Sequence, residues 1–164
     1  MRILDCIDNI SLWSGKILLW LAVILSAVVL YEVFARYCFN SPTDWGFDVA
    51  MMIYSTFFMG GAAYIQLKKG HIRVDVILNM LSSRTQAIIE LVNLVIIIFP
   101  FAFVMVWFGT KVAILSMVGE EISNTSQWGE IIWPWRFMIP LAFLLFLLQS
   151  IADFIRIVKS LRRQ

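Results

Sequence analysis

The stretch YEVFARYCFNSPTDWGFD, residues 31–48, gathers Glu32, Arg36, Asp44 and Asp48 around an Asn-Ser-Pro turn, with long uncharged runs on either side. Carboxylates beside a guanidinium could do acid–base work or hold a cation. The spacing points instead to structure. Glu32 and Arg36 stand four apart with the acid N-terminal, the favourable order for a pair on one helix. Ser41, Pro42 and Asp44 suit the cap, first and third positions of a following helix, where acids also meet the positive end of its dipole. Arg36 is expected to pair with Glu32 or Asp48, which makes Glu32, Arg36, Asn40, Pro42, Trp45 and Asp48 a fastening between two helices.

The remaining chemistry-bearing residues are few. The chain holds one histidine, His71, which rules out haem ligation by paired histidines. Cys6 and Cys38 bracket an apolar run, and a helix between them would set them about 48 Å apart, too far for a disulfide. Glu120, Glu121 and Glu130 lie in a polar connection with Trp128, where a solvated loop explains them. No Gly-rich phosphate loop follows a strand, and no metal-ligand spacing occurs. The sequence therefore predicts neither an enzyme nor a resident metal or cofactor, and no nucleic-acid partner.

The elements carrying these residues belong in a membrane. Of 164 residues, 61% are hydrophobic and 15% charged, with a mean hydropathy of +0.85. Soluble domains carry about 25% charged residues. Four runs are long enough to cross a hydrocarbon core as helices, which needs about 20 apolar residues; the expected spans are residues 12–39, 45–67, 87–110 and 131–153. The first lacks a small-residue cleavage site and a strongly basic start, so it is expected to be retained. The sequence reads as an all-α membrane protein, one four-helix domain over residues 1–164.

Ten of the thirteen Lys and Arg fall in the N-terminal segment, the second connection and the tail; Arg36, Lys111 and Arg136 fall on the other side. The positive-inside rule then puts both termini in the cytoplasm. In the second connection, Val74, Ile77, Leu78 and Leu81 recur at helical spacing. With His71, Arg73 and Asp75 they predict a short amphipathic helix over residues 74–82, lying in the headgroup region. Ser83 and Gln86 form a second capping-box pattern. Pro100 interrupts the third span, Pro134 and Pro140 kink or restart the fourth, and the basic tail reads as an anchor to anionic phospholipid. Gly60 and Gly61 sit mid-span in the second helix, where small residues admit a close neighbour. No span carries Asp, Glu, Lys, Arg or His in its middle, where ion and proton pathways usually need them.

Taken together, YEVFARYCFNSPTDW, MGGAAYIQLKKGHIRVDVIL, GEEISNTSQWG and WPWRFMIPLAFLLFLLQSIADFIR resemble the small membrane subunit of TRAP transporters, the DctQ family, in order and over nearly the whole chain. The resemblance implies a tripartite secondary transporter of the bacterial inner membrane. A large multispan permease would carry the substrate and sodium sites and move like an elevator. A periplasmic binding protein would deliver a small organic anion, and this chain would brace the permease. It also makes Glu120, Glu121 and Trp128 a candidate contact for the binding protein. Many family members place a Glu a few residues after the hairpin Trp; here Asp48 follows Trp45. The competing reading is a structural or assembly subunit of another membrane complex.

Overall fold

A computed structural model describes residues 2–68, 81–123 and 128–162. Among the described residues six α-helices follow one another: α1 (Arg2–Cys38), α2 (Gly46–Leu67), α3 (Ser83–Asn93), α4 (Phe99–Val118), α5 (Trp133–Arg136) and α6 (Met138–Leu161), with a π-helical turn at Leu94–Ile98 joining α3 to α4. The region expected to form the amphipathic helix, with His71, Arg73, Asp75 and Ile77, lies outside the described residues; Leu81, at its end, is exposed.

Three of these helical stretches are long and apolar enough to cross a membrane: Leu4–Cys38, Arg84–Val118 and Trp133–Leu161. The second expected span, α2, has 22 residues, about 33 Å at 1.5 Å each, so its length suffices. Tyr54, Ser55, Thr56, Gly60, Gly61, Tyr64 and Gln66 dilute its hydropathy. A helix with neighbours on two sides can carry such residues where protein covers them, as at Gly60, Tyr64 and the buried Gln66.

That is where α2 sits. α1 packs on α2, α2 on α6, and α6 on α4. Gln66 of α2 reaches Asp153 of α6, both near the C-terminal ends of their helices, so these two run in the same direction. α1 and α4 run opposite to them, with Leu18 of α1 beside Gly60 of α2 and Pro140 of α6 beside Gly109 of α4. Ala63 of α2, Ala102 of α4 and Phe146 of α6 meet in the core, packed by Ala62, Ile98 and Phe143. Small side chains at a helix contact let backbones approach and gain dispersion, which lipid otherwise supplies equally well. In the Trp133–Leu161 stretch 39% of the apolar window is buried, against 6% in Leu4–Cys38, so α6 is a central helix and α1 a flanking one.

Local sequence explains the irregularities, some differently from expectation. Pro100 does not break the third long helix. The Phe99 N–H bonds to the Leu94 carbonyl, and the wide turn carries the chain past a residue that cannot donate and whose ring crowds the carbonyl four back. Pro134 and Pro140 do restart the last helix: α5 ends at Arg136, and both prolines occupy first-turn positions where no intrahelical donor is lost. The cap of α3 is Ser82 rather than Ser83, its hydroxyl accepting from Thr85 N at 3.3 Å, while Gln86 donates back to the Leu81 carbonyl.

Two glycines give contrasting expectations. A β-carbon at Gly15 would stand 2.9 Å from Tyr64 Cε2, whereas one at Gly61 would meet only Ile65 Cδ1 at 4.0 Å. Gly15→Val should therefore destabilise the solubilised protein by about 1–3 kcal/mol, as overpacking does. Gly61→Ala should leave its melting temperature in the same detergent unchanged or higher, alanine being the better helix former.

Candidate functional site

The polar side chains of the bundle gather at its two ends. Gly46 and Gln66 mark those ends along α2, about 30 Å apart at 1.5 Å per residue, the thickness of a hydrocarbon core.

At the hairpin end, Glu32 is the hub. Its Oε1 accepts from Arg36 Nη2 at 2.7 Å and Nε at 3.3 Å; its Oε2 accepts from Thr43 N at 3.2 Å and from the Thr43 hydroxyl. Gly46 N donates to Thr43 Oγ1 at 3.1 Å. Helix α2 thus begins at Gly46 with Thr43 satisfying a first-turn N–H, and the expected Ser41–Asp44 capping box is not used. The reason is the exit from α1. Asn40 adopts φ 49°, a left-handed conformation that Asn tolerates, and this turns Ser41 N back to the Ala35 carbonyl at 3.0 Å. Tyr31 and Trp45 stack across the turn at 5.8 Å.

Arg36 pairs with Glu32 and not with Asp48, so it stays on its own helix with half its side chain exposed. The bond that crosses from α1 to the loop is Glu32–Thr43. A β-carbon at position 46 would stand 2.7 Å from Glu32 Oε2, so glycine there lets the carboxylate lie against the start of α2. Asp48 is buried in the first turn of α2, its Oδ2 without a hydrogen-bond partner among the described residues. Asn40 and Pro42 are exposed.

The described residues on either side of the connection between α4 and α5 pair with each other. Ser123 N donates to the Glu130 carbonyl at 2.9 Å and Ile132 N to the Glu121 carbonyl at 3.1 Å, flanking an Ile122–Ile131 bridge. Glu121 Oε1 accepts from Arg136 Nη2 at 2.5 Å, tying the loop to α5. Of the residues expected to meet a binding protein, Glu121 is thus partly committed to Arg136. Glu120, at φ 45°, and Trp128 are exposed.

The opposite end holds a cluster that sequence reasoning passed over. Arg156 of α6 donates through Nη2 to Asp8 Oδ2 at 2.6 Å and through Nη1 to Asp153 Oδ1 at 3.3 Å. Gln149, fully buried, donates to Asp8 Oδ1 at 3.2 Å and accepts from the Ser11 hydroxyl at 2.8 Å. Gln66 donates to Asp153 Oδ2 at 3.1 Å. Six side chains thereby join α1, α2 and α6. Arg156 belongs to the basic tail expected at lipid, but two carboxylates claim it instead. The signal was present in Gln149, Asp153 and Arg156, spaced four and three apart on one helix face, and in Asp8 and Ser11, spaced three apart.

None of this assembles a reaction centre. Among the described residues no group of three or more His, Cys, Asp or Glu is placed to hold a metal ion. The two ends contain fasteners: one closes a helix hairpin, the other joins the start of the chain to its last helix. The family model for tripartite ATP-independent periplasmic transporters, DctQ component, matches residues 25–160. The chain belongs to the DctQ family. It is accordingly the small membrane subunit of a TRAP transporter, and a tripartite system implies a large permease and a binding protein as partners. DctQ is a transporter component and not an enzyme family. No individual curated protein matches the chain significantly. The match includes the whole hairpin and the α6 half of the cluster, while Asp8 and Ser11 precede it.

The two fasteners should respond differently to loss of their arginine. Arg36→Met removes a half-exposed pair within one helix and should barely shift the unfolding temperature. Arg156→Met leaves two carboxylates and an amide network without their donor and should cost on the order of 2 kcal/mol. Thermal unfolding of the solubilised variants under one condition compares them directly.

Proposed function

We propose that this subunit is a static brace. It holds the scaffold part of a large elevator-type permease fixed in the bacterial inner membrane while the transport part carries a small organic anion, coupled to sodium. One observation carries the reading: no Asp or Glu lies between the two polar ends on any long helix, and Glu32, Asp8 and Asp153 at those ends are engaged with this chain's own Arg, Thr and Gln side chains. Coupling chemistry needs ionisable groups inside the membrane, so it belongs to the partner.

In this reading α2 is the second of four spans and both termini are cytoplasmic, as the distribution of Lys and Arg supports. Gly60 seats α2 against α1, and the Glu32–Arg36–Thr43 hairpin faces the periplasm. Glu120 and Trp128, beside the Glu121–Arg136 pair, form the surface offered to the binding protein.

The test is reconstitution. Liposomes holding this chain and its large permease, with the binding protein added outside, should accumulate the binding protein's ligand when a sodium gradient is imposed. Liposomes holding this chain alone should accumulate none. Uptake by the chain alone, or undiminished uptake by the permease without it, would overturn the brace. A fluorescent-protein fusion at the C-terminus should fluoresce in the cytoplasm and an alkaline phosphatase fusion there should be inactive.

A further inference from the structure

Lys111 is a charge in an otherwise apolar helix, and its placement identifies a docking face. On α4 the side buried against α6 carries Ala102, Gly109, Ala113 and Ser116. Lys111 stands two positions from both Gly109 and Ala113, roughly 200° round the helix, so it projects away from the bundle. It is exposed and forms no ion pair with any described residue. Around it Val106, Trp107, Thr110, Ile114 and Leu115 line a shallow groove of about 380 Å³. The Thr110 hydroxyl is spent on the Val106 carbonyl at 2.7 Å, which leaves the ammonium as the groove's free polar group.

The charge itself favours one kind of occupant. Lys111 stands about 10 Å inside Val118, the C-terminal end of α4. A charge within a membrane span is ordinarily paired, and the described residues offer Lys111 no carboxylate. A carboxylate on a neighbouring span would complete the pair. From this geometry we propose that the Trp107–Lys111–Leu115 face of α4 is the surface on which a transmembrane helix of the large permease docks, through an Asp or Glu paired with Lys111. This rests on the brace reading and adds to it the face and the recognising charge.

The experiment compares Lys111→Glu and Lys111→Arg in the co-expressed two-subunit complex. Lys111→Glu should lower recovery of the permease with the tagged small subunit tenfold or more, and Lys111→Arg should keep it within twofold of the parent. The isolated Lys111→Glu chain should melt as the parent does, since Lys111 forms no ion pair with any described residue. In a background lacking Cys6 and Cys38, Ile114→Cys should crosslink to cysteines in the permease, and Leu19→Cys on α1 should not. Full permease recovery with Lys111→Glu would overturn the docking face while leaving the brace intact. If native mass spectrometry also showed a lost phospholipid, the charge would be reassigned to a headgroup. Failure of the parent chain itself to recover permease would overturn both.

Discussion

The guanidinium of Arg156 between Asp8 and Asp153 is the contact on which the arrangement of the helices most depends. In water, burying apolar area would drive the helices together. In lipid that driving force is absent, because acyl chains cover a leucine as well as another leucine does. What remains is dispersion at small-residue contacts and the pairing of polar groups that lipid cannot satisfy. α1 shows the consequence: its apolar window is only 6% buried, and it is placed by Gly15 and Leu18 against α2, by Glu32 at one end, and by Asp8 and Ser11 at the other. Without these points its orientation about its own axis would be nearly free.

Two fasteners about 30 Å apart make a different object from one. A hairpin fixed only at its turn can splay at its open end. Here the open end is tied through α6, which itself packs against α4. The bundle thus resists scissoring and tilting of its helices. That property suits the brace proposed for it, with polar side chains engaged inside the chain.

Much of the architecture was legible in the sequence because hydropathy and breaker residues report directly on lipid exposure. The long helices, the restart at Pro134 and Pro140, and the i, i+4 placement of Glu32 and Arg36 all follow from local rules. The misreadings have a common physical origin. The caps shifted from Ser41 to Thr43 and from Ser83 to Ser82 because a helix start depends on how the preceding element releases the chain, as Asn40 shows. The partnership of Asp8 with Arg156 was hidden because pairing across helices depends on which faces meet, and spacing along one helix does not record that. Asp48 illustrates the limit in the other direction: its position in the first turn was plain, yet its burial away from Arg36 was not.

The contact between Asp8 and Arg156 joins residues 148 apart, and that separation has a meaning during synthesis. At translation speeds of about 5–20 residues per second, roughly 7–30 s pass between the emergence of one partner and the other. The α1–α2 hairpin can close early, since Glu32 and Thr43 are only 11 apart. The opposite end cannot close until the last helix has been inserted. For that interval the first helix is held by its turn and by its packing on α2, and insertion of α6 is the event that fastens its polar end. A polypeptide truncated before α6 would thus leave the ribosome with its hairpin formed and Asp8 and Ser11 without their partners.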